Sequence, residues 1–94
     1  MANDAEALAR IKNAARYGDI IPSRHARERM DERHAQAHDV KNAIVTATSA
    51  DPQPDDLYEL SGGKDIDGHA LNLVVKEVRR GVFVVTLFDE RHTP

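Results

Sequence analysis

The spacing of apolar residues divides the chain into a helical first half and an extended second half. Apolar positions recur at helical intervals within residues 4–17, which predicts a first helix that Asn3 or Asp4 caps and Gly18 ends. The stripe on this helix consists of Leu8, Ile11 and Ala15. The next segment, "DIIP", is predicted to be a short extended piece, because Pro22 keeps the residue before it out of a helix.

Two more helices are predicted before the pattern changes. Ser23 is a natural N-cap for the second helix, "RHARERMDER", whose apolar side is Ala26 and Met30. The third is "DVKNAIVTATS", and its apolar positions are Val40, Ala43, Ile44 and Ala47. The stretch "ADPQPDD" is predicted to be irregular, since it holds two prolines and three acids.

From residue 57 onward the pattern is typical of strands. "LYELS" predicts a short strand, and "ALNLVVKEV" and "VFVVTLFDE" predict two longer ones joined by a tight turn at "RRG". Both faces of the last strand are largely apolar, which indicates a central place in an antiparallel sheet or a face kept for a partner. The predicted fold is α+β, with two to three N-terminal helices packed on one face of a three- to four-stranded antiparallel sheet.

Length and composition limit the possible classes. A chain of 94 residues indicates a single domain, with an extra N-terminal helix over 1–19, a core over 20–89 and a tail over 90–94. The absence of cysteine excludes disulfides, thiolate metal sites and a cysteine nucleophile. No apolar run approaches the ~20 residues of a membrane span, and the N-terminus lacks the apolar stretch of a signal peptide. We therefore expect a cytoplasmic protein without a membrane partner.

The charge is distributed unevenly. The chain carries a net charge of −3, and residues 51–67 hold six acids against Lys64. The rest of the chain is slightly basic, far from the strong positive charge of a typical nucleic-acid-binding protein. A polyanion would have to be bound by a local site and not by the field of the whole protein.

His25 and Arg29 form the strongest candidate site. Four residues apart on the second helix, they project to the same side, about 6 Å between β-carbons. Histidine can exchange a proton near neutral pH, and arginine offers a fork of donors that fits a phosphate. Such a pair suits phosphodiester cleavage by the ribose 2′-hydroxyl. The alternative is a solvated charged face on which Arg29 pairs with Glu32, since such pairs are common.

Other polar residues give weaker indications. His34 and His38 have the spacing of a helical zinc pair, but no third ligand is indicated and they fall at the junction of two helices. His69 is expected to be exposed beside a turn, and His92 lies in the tail. Thr86 interrupts an apolar strand. On a face with Val82, Val84 and Phe88, its hydroxyl would need a partner inside the core or a phosphate in a cleft.

The order of these features resembles a known family. "SRHARERMDER", "DVKNAI", "LYELSGGKDIDGHALNLVVKEV" and "VFVVTLF" are similar to small bacterial proteins that read roughly Ser/Thr-x-His-Ala-x-x-Arg-Met-x-x-Arg-Gly, followed by an Asp-Val helix and a strand meander. That family looks like a branch of the RelE-like toxins, near the BrnT and MqsR ribonucleases, within the barnase–EndoU–colicin–RelE fold. The resemblance spans about Ile20 to Phe88. Here "RHAQ" replaces the usual Arg-Gly junction, so His34 must adopt the turn itself or the helices run closer to continuous.

The resemblance implies a toxin-type endoribonuclease that works without metal or cofactor. His25 matches the family histidine, Arg29 the following arginine, Arg33 the arginine that closes the motif, and Thr86 a polar position in the last strand. Further contacts to RNA are predicted at Lys64, Arg79 and Arg80. The implied partners are RNA, with ribosome-bound message as one form, and an antitoxin with a zinc-finger or DNA-binding module.

Two other readings stay open on the residues alone. The first is a non-catalytic module that binds a protein through an apolar sheet face. The second is a metal-binding regulator that uses His34 and His38. Whether His25 and Arg29 border a cleft over the sheet or face bulk water distinguishes the enzyme from the binding module.

Overall fold

A computed structural model describes residues 3–89 of the chain. The helices are α1 (Ala5–Tyr17), α2 (Arg24–Arg33) and α3 (Ala37–Thr46), with a single 3₁₀ turn at Pro54–Asp56. The strands are β1 (Asp19–Pro22), β2 (Ser49–Gln53), β3 (Leu57–Ser61), β4 (Asn72–Val78) and β5 (Gly81–Phe88). No helix in this range is long and apolar enough to cross a membrane. These helices and strands confirm the predicted α+β class. The predicted tail over 90–94 lies outside the described residues.

All five strands form one mixed sheet in the order β1-β5-β4-β3-β2. The prediction of a three- to four-stranded antiparallel sheet is wrong, because β1 pairs in parallel with β5 while the other neighbours are antiparallel. At the β1–β5 junction a β-carbon on Gly81 would lie 2.0 Å from the carbonyl oxygen of Asp19, and its φ is +155°. Glycine is required there, since the two backbones could not otherwise approach. The last strand, β5, does have a neighbour on each side, as its predicted central place required, but the neighbour β1 is parallel to it.

The segment predicted to be irregular contains a strand. β2 pairs with β3 from Ser49 opposite Ser61 to Gln53 opposite Leu57, at the edge of the sheet. Pro52 is accepted there because an edge strand does not need every N–H for pairing. The outer edge of Ala50 is covered by the chain start: its N–H donates to Asn3 Oδ1 (2.9 Å) and its carbonyl accepts from the Asp4 N–H (2.8 Å).

The predicted helices all occur. Asp4 caps α1 by accepting a hydrogen bond from the N–H of Ala7 at 3.0 Å, and Ser23 caps α2 in the same way. α3 ends three residues earlier than predicted, since Ala47 already has extended angles (φ −56°, ψ 144°). Between α2 and α3, His34 adopts the left-handed conformation with φ 56° and ψ 31°. The chain therefore turns at His34 itself, as one of the two predicted alternatives required.

One face of the sheet carries the core. α1 and α3 pack on this face, and α2 packs along β5, to which it contributes the buried Ala26. The buried sheet residues on this side are Ala50, Leu60, Leu73, Val75, Val82, Val84 and Leu87. The opposite side, called the outer face below, carries half-buried residues that do not belong to the core cluster: Ile21, Leu57, Glu59, Val74, Phe83, Thr86 and Phe88.

Candidate functional site at the start of the second helix

The site is organised by Ser23, where β1 ends and α2 begins. The Ser23 N–H donates to the Val84 carbonyl at 2.8 Å, which extends the β1–β5 ladder by one step. Its hydroxyl accepts from the Ala26 N–H at 3.0 Å, and the same hydroxyl donates to the carbonyl of Val85 at 2.7 Å. The first turn of α2, which contains His25, is thus joined directly to the middle of β5.

A β-bulge in β5 lies at the point where Ser23 contacts it. Val75 is opposite Val84, whereas the preceding residue Val74 is opposite Thr86, so Val85 is the extra residue. A bulge reverses the alternation of side chains along the strand that contains it. The expectation that Thr86 shares a face with Val82 and Val84 is therefore wrong.

Thr86 instead shares the outer face with Phe83 and Phe88. Its backbone partner Val74 is half-buried on the same face, while Val84 and Leu87 are fully buried on the core side. The hydroxyl is consequently not a core group in need of an internal partner. It belongs to the half-buried surface of β5, one residue from the carbonyl that Ser23 binds.

His25 and Arg29 occupy different environments on α2. The His25 side chain is exposed, and Arg29 is 35% exposed. The terminal nitrogen Nη1 of Arg29 lies 3.6 Å from Glu32 Oε1, a loose ion pair of the kind that the solvated-face alternative predicts. The Nε atom of Arg29 is buried, however, and it finds no hydrogen-bond partner among residues 3–89.

A buried guanidinium N–H without a partner is unusual, because such a group loses its hydration and gains nothing in return. The other side-chain atom of this kind in the described chain is Oδ1 of Asn72, which lies opposite Phe88 on the outer side of β4. Both atoms thus belong to elements that flank the end of β5. An acceptor could reach this Nε–H only if the Arg29 side chain moved, because the atom has almost no solvent-accessible surface.

Arg33 is already paired. Its Nη2 lies 2.6 Å from Asp89 Oδ1, and the two side chains are 22% and 45% exposed. The pair joins the end of α2 to the residue after β5. Arg33 therefore stands one helical turn beyond Arg29 on the same side, with a carboxylate where the predicted role would put a phosphate.

The other predicted RNA contacts are spread over the molecule. Lys64 lies in the loop against α3, where its backbone N–H donates to the Thr46 hydroxyl at 2.9 Å. Arg79 and Arg80 form the turn between β4 and β5 and line a shallow depression with Arg10 and Tyr17. Arg80 and Val85 are five residues apart along β5, roughly 16 Å at the rise of a strand. His25, Arg29 and Arg33 thus lie on α2 and Thr86 lies on the neighbouring β5, whereas Lys64, Arg79 and Arg80 lie elsewhere. Neither His25 nor Arg29 lines the cleft to which Arg33 belongs.

A second cluster of polar residues was missed by the sequence reasoning. Asp65, Asp67 and His69 offer ligand atoms within 4.8 Å of one another. They line a cleft of about 960 Å³ that also includes Arg33, His34 and Asp89. The alternating acids in "DIDGH" were the available signal. Most of Asp65 is engaged within the loop, since its Oδ1 accepts from the N–H groups of Asp67 and His69, both at 2.9 Å.

The predicted pair His34 and His38 does not share a helix. His34 is the left-handed residue that ends α2, and His38 lies in the first turn of α3. The helical spacing that suggested a zinc pair therefore does not apply. Within residues 3–89, the metal-compatible cluster includes neither of them.

Asp39 fixes the start of α3 beside the same cleft. Its Oδ2 accepts from the Gln36 N–H at 2.9 Å, and its Oδ1 accepts from the Ile66 N–H at 3.3 Å. The bond from Gln36 is the main reason that the pKa of Asp39 is lowered from 3.8, and the bond from Ile66 adds to it against the effect of burial. Asp39 thus ties the helix to the loop that carries Asp65.

Comparison with known families gives one match. Residues 22–89 match the family described as "Domain of unknown function (DUF4258)". The chain belongs to the DUF4258 family. The matched region begins at the last residue of β1 and contains α2, α3 and the four remaining strands, so the Ser23 junction, the bulge and the cleft all lie within it. α1 lies outside it.

Neither the curated proteins nor the solved structures give a match. The family description attaches no activity to the domain. The function must therefore be inferred from the chemistry of the site itself.

Proposed function

We propose that this DUF4258 protein is a toxin-type endoribonuclease that cleaves RNA by attack of the ribose 2′-hydroxyl, without a metal ion. The observation that carries the proposal is the junction of α2 with the bulge in β5. The Ser23 hydroxyl donates to the Val85 carbonyl at 2.7 Å. Ser23 lies two residues before His25 in the chain, and Val85 lies one residue before Thr86. The helix that carries His25 and the strand that carries Thr86 are thereby joined by a hydrogen bond.

The reaction needs few groups, and α2 and β5 carry candidates for each. The 2′-oxygen attacks phosphorus and the bond from phosphorus to the 5′-oxygen breaks, which leaves a 2′,3′-cyclic phosphate and a 5′-hydroxyl. His25 accepts the proton of the 2′-hydroxyl, and water supplies the proton that the leaving 5′-oxygen requires. Arg29 stabilises the negative charge that grows on the non-bridging oxygens, and Thr86 donates to one of them.

Arg29 is 35% exposed, which distinguishes it from a freely solvated arginine, although its pair with Glu32 is the one that the solvated-face alternative predicts. A purely solvent-facing arginine would hydrate all its donors, yet the Nε of Arg29 is buried and has no hydrogen-bond partner among the described residues. The 3.6 Å contact with Glu32 satisfies only the outer end of the guanidinium. A phosphate over the start of α2 would meet the exposed end of the Arg29 guanidinium, and the first-turn N–H groups favour an anion there.

The charge of the protein suggests how substrate is delivered. A net charge of −3 gives no long-range attraction for RNA. We propose that the natural substrate is messenger RNA presented by the ribosome, where position replaces electrostatic steering. The proposed regulator is an antitoxin protein with a zinc-finger or DNA-binding module, and the proposed location is the cytoplasm.

The test is incubation of the purified protein with a long single-stranded RNA in EDTA, with and without translating ribosomes. We expect fragments with 2′,3′-cyclic phosphate ends. His25→Ala should abolish them, whereas His38→Ala, which removes another exposed histidine, should not. No cleavage in either setting, or equal cleavage by His25→Ala, would rule out the proposed chemistry.

A second candidate function is a protein-binding module without catalysis. The outer face favours it, since Ile21, Val74, Phe83 and Phe88 are apolar yet lie outside the core cluster. Replacement of Phe83 by Ser should then abolish capture of a partner while His25→Ala leaves capture unchanged. If the protein is instead an endoribonuclease, His25→Ala should remove RNA cleavage by the same purified protein.

A further inference from the structure

Ser23 uses every polar group that it has. Its N–H donates to Val84, its carbonyl accepts from the Arg27 N–H at 2.9 Å, and its hydroxyl both accepts from Ala26 and donates to Val85. The two bonds of the hydroxyl have different purposes. The bond from Ala26 caps a helix, whereas the bond to Val85 connects that helix to a different element.

The bond to Val85 falls on the weakest step of the β4–β5 ladder. Val85 is the bulged residue, and a bulge leaves the extra residue without a partner on the opposite strand. Its carbonyl is held by Ser23 instead. A change in the position of the bulge by one residue would reverse the faces of the neighbouring side chains, Thr86 among them.

We propose that Ser23 is a positioning residue: its hydroxyl, by donating to the Val85 carbonyl, sets the placement of His25 relative to Thr86. This inference rests on the proposed ribonuclease function for its catalytic meaning. The cap that Ser23 provides for α2 is a separate, structural contribution. The bond to Val85 is the one that ties the start of the helix to the bulged residue itself.

The chemistry of capping residues allows the two roles to be separated. Aspartate caps a helix about as well as serine does, but an ionised carboxylate can only accept hydrogen bonds. Ser23→Asp therefore keeps the cap and loses the bond to Val85. Ser23→Thr keeps both bonds, because it retains a γ-hydroxyl. If Ser23→Asp does not fold, Ser23→Gly takes its place, since glycine also begins helices well and has no side-chain donor.

The first measurement is the steady-state kinetics of RNA cleavage by the three proteins, with thermal unfolding alongside. We expect Ser23→Asp to unfold near the wild-type temperature, with kcat lowered about 10- to 100-fold, as small displacements of reacting groups produce. KM should change little, and Ser23→Thr should retain most of kcat. If Ser23→Asp or its glycine substitute cleaves at the wild-type rate, Ser23 is only a helix cap and the inference is overturned.

A second measurement does not depend on activity. The His25 ring and Thr86 methyl resonances are followed by nuclear magnetic resonance at pH 7 in the same variants. We expect both to shift in Ser23→Gly, which removes the donor without adding a charge beside the ring, and to stay near their wild-type positions in Ser23→Thr. Unchanged resonances in Ser23→Gly would overturn the positioning role. If the resonances shift in the variant but the wild-type protein does not cleave RNA, the positioning role is supported and the ribonuclease is rejected.

Discussion

Arg33 Nη2 and Asp89 Oδ1 lie 2.6 Å apart, and this pair closes the end of α2 onto the end of β5. The carboxylate occupies the position where the proposed function would have Arg33 meet a phosphate. We expect Asp89→Asn to release Arg33 and to tighten RNA binding several-fold, with a steeper dependence on salt because one more cation can contact phosphate. Fluorescence anisotropy with a 2′-O-methyl oligonucleotide, which cannot be cleaved, measures the affinity.

The control for this change is Asp19→Asn, which removes the same charge from an exposed position at the other end of β5. It should leave the affinity within about twofold, since exposed charges more than ~8 Å away are screened at physiological salt. Equal effects of the two variants would mean that only net charge matters, and that Arg33 has no part in binding.

Arg29→Ala should lower the rate of cleavage about 10²- to 10³-fold, the usual cost of losing one donor that stabilises a developing negative charge. Arg27→Ala removes an exposed arginine from the same helix and serves as the matched control. Its rate should stay within a few-fold of wild type. Similar losses in both variants, measured in the same kinetic assay, would count against a specific phosphate site.

The bulge makes a prediction about two neighbouring positions. Thr86→Val should leave the free energy of unfolding within about 0.5 kcal/mol, because Thr86 lies on the half-buried outer face. Val84→Thr places a hydroxyl in the fully buried core and should cost about 1–3 kcal/mol. Urea denaturation measures both. A large cost at both 86 and 84 would contradict the reversal of faces at Val85.

Asp39 should make the stability depend on acid. Its folded-state pKa is lowered, so the carboxylate stabilises the fold above its ordinary pKa of 3.8, and this contribution is lost as the pH falls through the lower folded-state value. Asp39→Asn should be less stable than wild type at pH 7, and the difference should shrink as the pH falls from 5 towards 2. Urea unfolding across that range checks the trend. A difference independent of pH would show that the charge of Asp39 is not involved.

His34→Gly should stabilise the protein by about 1 kcal/mol. His34 holds the left-handed conformation that ends α2, and this conformation costs a residue with a β-carbon roughly that much relative to glycine. Thermal unfolding should show a rise of several degrees for a chain of this size. His38→Gly lies in the first turn of α3, and it should destabilise instead.

Much of the fold could be predicted because local chemistry agrees with it. Strand β3 has the predicted limits, Asp4 and Ser23 cap the predicted helices, and the turn at His34 was one of the two alternatives that the missing glycine left. β2 could not be predicted, since Pro52 and its acidic neighbours argue against a strand unless the pairing with β3 is known. The parallel pairing of β1 is equally non-local.

The site was predicted in part for the same reason. His25 and Arg29 are related by helical spacing, which the sequence displays directly. The sheet face on which Thr86 lies depends on a bulge at Val85. No residue near Val85 is of a type that predicts a bulge. The ion pair of Arg33 joins residues 56 positions apart along the chain, so spacing alone could not reveal it.

The covered edge of β2 has a consequence for how a partner protein can add a strand to the sheet. The N–H and the carbonyl of Ala50 are both hydrogen-bonded, to Asn3 and Asp4 respectively. Pro52, which faces the same edge, has no N–H. A partner protein that added a strand at this edge would first have to displace Asn3 and Asp4. At this edge of the sheet, strand addition by a partner therefore competes with the protein's own residues.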